Sequence, residues 1–95
     1  MAAYMIFDIE VLDPQQYDEY RKLAAPTVAQ CGGRYIVRGG EAKGLEGGWD
    51  PKRVVVLRFD SKEQALAWYE SPEYRPARAI RERAARTRAL VVEGV

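Results

Sequence analysis

Residues 4–12 alternate between two faces: Met5, Phe7, Ile9 and Val11 on one, Tyr4, Ile6, Asp8 and Glu10 on the other. A period of two predicts a strand. One of its faces is wholly apolar; the other begins apolar and turns acidic. Residues 53–59, RVVVLRF, repeat the pattern, with Val55, Leu57 and Phe59 against Val54, Val56 and Arg58. Two shorter stretches read as strands: residues 34–38, RYIVR, and residues 89–93, ALVVE. In the former, Tyr35 and Val37 are expected on one face and Arg34, Ile36 and Arg38 on the other. Weak strand character is also expected over residues 41–45, after a bulge or bend at Gly39-Gly40.

Between the strands the period changes to that of a helix. Asp13 is a good N-cap, Pro14 suits the first helical position, and Gln16 completes a capping box. Tyr17, Tyr20, Ala24, Thr27, Val28 and Cys31 then fall on one stripe. Pro26 is expected to kink or break that helix, and Gly32-Gly33 to stop it. Ser61 and Gln64 form a second capping box, ahead of an inward stripe of Ala65, Leu66 and Tyr69 flanked by Trp68. Ser71-Pro72 opens a third helix, expected to run to about Thr87 with Ala77, Ile80 and Ala84 inward.

The element order is βαββαβ with the second helix split. Two βαβ halves of this kind predict an α+β, ferredoxin-like fold, a four-stranded antiparallel sheet with helices on one face. Right-handed crossovers put the first strand between the third and the fourth. One domain over residues 1–95 is expected. The helices can cover only one face. The other would carry Tyr4, Ile6, Asp8, Glu10, Arg34, Ile36, Arg38, Val54, Val56 and Arg58, too apolar for water and too charged for a plain core. A homodimer packed sheet to sheet resolves the first difficulty, and the enclosed charges must then pair or bind something.

Composition mainly removes options. There is no histidine, hence no commonest general base, metal ligand or triad member. Fifteen Lys+Arg against fourteen Asp+Glu give no global pull toward nucleic acid or membrane. No apolar run reaches the ~20 residues of a membrane span. No signal peptide is read at the N-terminus, and Cys31 is the only cysteine, so a cytoplasmic, reducing setting is expected. Scattered Asp and Glu suggest no metal site, and no cofactor motif is visible. The glycines of residues 39–48 lack a GK[ST] ending and precede a strand, so they read as turns rather than a phosphate loop.

The candidate chemistry lies on the uncovered face. Asp8, Arg38 and Arg58 are expected to point together into the cleft, Asp8 as base or orienter and the arginines as carboxylate anchors. Tyr4, Ile6, Ile36, Trp49, Trp68 and Tyr74 are candidate substrate-lining residues. The bland alternatives are a structural ion-pair network for the charges and ordinary core or dimer packing for the aromatics. Arginines 75, 78, 83 and 86 read as the solvated face of the third helix.

Five stretches carry a resemblance to a known family: Asp13-Pro14 through Tyr17-Asp18-Glu19-Tyr20, GGRYIVRGG (residues 32–40), Trp49 with PKRVVVLRF (residues 51–59), WYESPEY (residues 68–74), and the closing VEGV. In order and spacing the chain resembles the bacterial DUF1330 proteins, a family of uncharacterised function. The resemblance implies a dimeric α/β barrel, a superfamily that includes muconolactone isomerases, cofactor-independent monooxygenases, haem-handling proteins and ligand-sensing domains. It carries no catalytic residues over. Three functions stand as expectations: a metal-free isomerase- or monooxygenase-like enzyme for an organic acid or aromatic substrate, a non-catalytic small-molecule binder or accessory protein, and a dimeric interaction domain.

Overall fold

The computed structural model describes residues Met1–Val95. The chain runs β1 (Ala3–Val11), α1 (Pro14–Gln30), β2 (Arg34–Arg38), β3 (Arg53–Phe59), α2 (Lys62–Tyr69), α3 (Arg75–Ala84) and β4 (Ala85–Glu93). The four strands form one antiparallel sheet in the order β2-β3-β1-β4. This is the ferredoxin-like α+β arrangement, with β1 between β3 and β4 as the crossover rule requires.

The alternating apolar positions become the core. Met5, Phe7 and Ile9 of β1 and Val55, Leu57 and Phe59 of β3 are buried under the helices. Tyr17, Tyr20, Ala24 and Val28 of α1, Ala65 and Trp68 of α2, and Ala77 and Ala84 of α3 meet them. Both helix caps form at the expected residues: Gln16 N–H donates to Asp13 Oδ1 at 3.1 Å, and Gln64 N–H to Ser61 Oγ at 3.0 Å. The return bonds of the capping boxes are replaced by tertiary ones. Asp13 N–H donates to Ala84 O, and the Gln64 side-chain amide donates to Cys31 O.

Several expectations are corrected. Helix α1 continues through Pro26 without interruption. Residues 41–45 form no strand. In α2 the inward residue is Trp68, three positions after Ala65, while Leu66 faces solvent. Ser71 closes a turn, accepting from Tyr74 N–H, and α3 begins only at Arg75.

Two further corrections change the site. The chain bends at Gly39, at φ 74°, but the bulge lies earlier, between Tyr35 and Val37 of β2. Tyr35 stands opposite Leu57, Val37 opposite Val56 and Arg38 opposite Val55. The extra residue, Ile36, reverses the expected faces of Val37 and Arg38. Helix α3 also ends at Ala84 rather than near Thr87, and β4 starts at the next residue with no loop. The Ala84 carbonyl accepts from both Leu12 N–H and Asp13 N–H, at 2.8 and 2.9 Å, which ties the joint to the end of β1.

Candidate functional site

Strand register arranges the face away from the helices in rows. The central row is apolar: Val37, Val56, Ile6 and Leu90 stand side by side across all four strands. On one side of it lie Arg34, Arg58, Tyr4 and Val92. On the other, Asp8 stands between Val54 and Arg88, and Glu10 beyond it stands opposite Arg86. The face is thus an apolar band with an arginine-bearing end and a mixed acidic and basic end.

The mixed end is closed over by the segment between β2 and β3. Trp49 Nε1–H donates to Asp8 Oδ2 at 2.9 Å, and Lys52 N–H donates to Asp8 Oδ1 at 2.9 Å. One carboxylate therefore fixes both the indole and the chain three residues later. Gly44 passes so close to the Trp49 carbonyl that a Cβ would not fit, which compacts the loop. Beneath this cover lies an open groove of about 790 Å³ bordered by Asp8, Glu10, Trp49, Lys52, Arg86 and Arg88. A smaller hollow continues from Asp8 and Trp49 onto Ile6 and Leu90.

Burial draws the Asp8 carboxyl upward. It is outweighed by the Lys52 N–H, the Trp49 indole and the charges of Arg88 and Lys52, so the group titrates below the usual carboxylate value. With both oxygens engaged, Asp8 is a firmly ionised anchor. Arg86 and Arg88 sit opposite carboxylates in the register, yet neither forms an ion pair or a side-chain hydrogen bond. Their guanidinium groups are exposed beside Trp49, which is itself 52% exposed. Free guanidinium next to an aromatic face suits a planar acid: the forked donors grip a carboxylate and the indole stacks on the ring.

Of the expected constellation, the structure brings Asp8, Trp49 and Ile6 together. Tyr4 and Arg58 share the face but lie at its other end, where Arg58 pairs with Asp60 at 3.0 Å. Ile36 is exposed in the bulge. Arg38 is not on this face. The bulge turns it to the helix side, where its guanidinium lies 4.2 Å from the Tyr35 ring centroid. Trp68 and Tyr74 are not in the cleft either. Trp68 is 1% exposed and donates through Nε1–H to Thr27 Oγ1 at 3.0 Å. Tyr74 is fully buried with its hydroxyl 2.9 Å from that of Tyr20. Both are core residues, as the bland alternative held.

Sequence reasoning missed Arg86, Arg88 and Lys52. Extending the third helix to Thr87 placed Arg86 on a solvated helix face. The signal that could have moved it is the alternation of Arg86, Arg88, Leu90 and Val92 against Thr87, Ala89 and Val91.

The family model described as a domain of unknown function, DUF1330, matches residues 2–95. No curated protein matches the chain. Among solved structures, it is similar to RPA0582, a protein of unknown function from Rhodopseudomonas palustris. The TM-score is 0.79 at 18% identity, over 99% of this chain and 82% of that one. It is also similar to SnoaB, a cofactor-independent oxygenase from Streptomyces nogalater, with TM-score 0.68, 9% identity, and 99% and 93% coverage. A dimeric ferredoxin-like protein of unknown function from Jannaschia sp. CCS1 matches with TM-score 0.67 at 14% identity, over 99% of this chain and all of that one. Identities this low speak to the fold alone.

Proposed function

The chain belongs to the DUF1330 family, and from that premise we propose that it is a homodimer that binds a small organic acid in the groove over its open sheet face. The observation that carries the reading is the pair of unengaged guanidinium groups, Arg86 and Arg88, beside a Trp49 indole that Asp8 holds in place. The arginines would take the carboxylate, Trp49 the planar body of the ligand, and the Ile6–Leu90 hollow its apolar edge.

The dimer follows from the same face. Its central row, Val37, Val56, Ile6 and Leu90, is a continuous apolar strip with no cover within the chain. Arg34 and Arg58 lie at one end and Asp8 and Glu10 toward the other. A second copy packed over this face would cover the apolar strip of each with that of the other. The dimeric relative from Jannaschia supports that arrangement by analogy of fold. The free thiol of Cys31 fits a reducing, cytoplasmic setting.

A metal-free isomerase- or monooxygenase-like reaction in the same cleft is the alternative. Its weak point is the base. A carboxylate titrating below its usual range, with both oxygens hydrogen-bonded, is poorly matched to abstracting a proton near neutral pH. Binding is therefore the stronger reading.

Fluorescence titration tests it. Benzoate and other aromatic carboxylates should quench Trp49 saturably, whereas the corresponding neutral amides should not. Replacing Arg86 and Arg88 together by Gln should weaken binding by about tenfold or more, the scale of one lost charge-assisted hydrogen bond. Equal affinity for acid and amide, or binding unchanged in the double variant, would overturn the proposal.

A further inference from the structure

The groove at Arg86 and Arg88 holds negative charge as well as positive. Asp50 is paired with Lys52 at 3.0 Å, and both oxygens of Asp8 are engaged by Trp49 and the Lys52 N–H. Two other carboxylates border the groove, Glu10 and Glu46, and neither forms an ion pair or a side-chain hydrogen bond. The site therefore presents two free carboxylates beside its two free guanidinium groups. All four are reachable from solvent: Glu46, Arg86 and Arg88 are exposed and Glu10 is half-buried.

Strand register orders these groups. Along β1 and β4 the face has three rows about 7 Å apart: Glu10 opposite Arg86, then Asp8 opposite Arg88, then Ile6 opposite Leu90. The Trp49 indole is held at the middle row by its bond to Asp8. Glu10 and Arg86 stand where a cross-strand ion pair would form, yet they do not close on each other. A plain carboxylate seated on Arg86 also meets the charge of Glu10 across the strand pair, and Glu46 adds to that repulsion. A ligand with an ammonium beside its carboxylate turns the repulsion into a second contact.

We infer that the acid taken by this groove is a zwitterion, an aromatic α-amino acid, with its ammonium on Glu10 and its carboxylate between Arg86 and Arg88. The inference rests on the binding reading above and narrows its ligand class. Opposed residues of an antiparallel pair lie about 5 Å apart at Cα, a spacing that suits two opposite charges carried on one carbon. With the charged head at the Glu10 row, an aryl group one methylene away reaches the middle row and stacks on Trp49. The Ile6–Leu90 hollow then receives the far edge of the ring.

Three ligands of one skeleton separate the charges. Phenylalanine carries both, 3-phenylpropanoate the carboxylate alone, and phenethylamine the ammonium alone. Binding is followed by the Trp49 indole N–H resonance in ¹⁵N-labelled protein at constant ionic strength. Phenylalanine should bind about fivefold tighter than 3-phenylpropanoate, the upper range for a solvent-exposed ion pair, and phenethylamine should bind weakest. Glu10→Gln keeps the size of the side chain and should bring phenylalanine down to the affinity of 3-phenylpropanoate. If 3-phenylpropanoate binds as tightly as phenylalanine or tighter, the zwitterion is refuted and the acid-binding reading stands. No saturable shift with either, or phenethylamine binding as tightly as phenylalanine, would overturn both. A preference that survives Glu10→Gln would refute Glu10 as the ammonium's partner, and if that variant does not fold, the ligand series on the wild-type protein still decides.

Discussion

Replacing Asp8 by Asn isolates what the carboxylate does. The wild-type side chain accepts one bond on each oxygen, from the Trp49 indole and the Lys52 backbone N–H. Asparagine keeps one acceptor oxygen and presents an NH₂ group to the other donor, so one bond is lost and the survivor is no longer charge-assisted. Charge-assisted bonds contribute roughly 1.5–3 kcal/mol and neutral ones 0.5–1.5. The site is open to solvent, which brings the sum to about 1–2 kcal/mol. For a domain of this size the melting temperature should fall by about 5–10 °C. The Trp49 indole N–H should lose its hydrogen-bonded chemical shift and exchange faster with solvent, while that of Trp68 stays put. The acid side supplies a sign check. The folded Asp8 titrates below its reference value of 3.8, so its contribution is complete above that value and fades as pH falls through the lowered one. The gap between wild type and variant should therefore close in strong acid. A variant as stable as wild type at neutral pH, with an unmoved Trp49 resonance, would refute the role of Asp8 as the anchor of the loop.

Other consequences can be checked as directly. Trp68→Phe should cost about 2–3 kcal/mol, from lost indole volume and the lost bond to Thr27, in urea unfolding, yet leave benzoate binding unchanged; a loss of binding without a loss of stability would return Trp68 to the ligand site. Ile6→Asp puts a charge into the apolar row and should convert a dimer to monomer in sedimentation equilibrium, with the far-ultraviolet spectrum preserved; an unchanged mass would count against the sheet-to-sheet dimer. Burial raises the Tyr20 and Tyr74 hydroxyls above their usual value of 10.0. They stay protonated in the fold while the unfolded chain ionises, so stability should be complete below pH 10.0 and drop as pH rises above it. Tyr20→Phe should flatten that decline in urea midpoints, and an equally steep decline would assign it to other groups.

The sheet and its core were legible because Met5, Phe7 and Ile9, and Val55, Leu57 and Phe59, repeat at the strand period without interruption. The caps at Asp13 and Ser61 were legible because their chemistry is local. Arg38 was misplaced because a bulge is a tertiary accommodation. One added residue at Ile36 reverses the faces after it, and no glycine marks the spot. Arg86 and Arg88 were missed because no glycine or proline punctuates Ala84-Ala85, and a charged, alanine-rich stretch reads as helix until the sheet claims it. The burial of Arg81 gave no warning at all, since an arginine on a charged helix reads as solvated. The resemblance to DUF1330 stood on residues that are mostly caps, turns and core, so it located the fold well and the site poorly.

The loopless joint at Ala84-Ala85 has a consequence for how the chain can vary in length. Along residues 40–43, ahead of the stretch that Asp8 pins through Trp49 and Lys52, residues can be gained or lost at the surface with little effect beyond it. At the joint there is no slack. A single inserted or deleted residue moves β4 by one position against β1, and every side chain of the strand changes sides. Arg86 and Arg88 would be driven under the helices, and Thr87 would emerge among the groove residues. An insertion scan of the chain should therefore show a tolerant stretch before β3 and an abrupt barrier at residue 84, where a change of length becomes an exchange of the two faces.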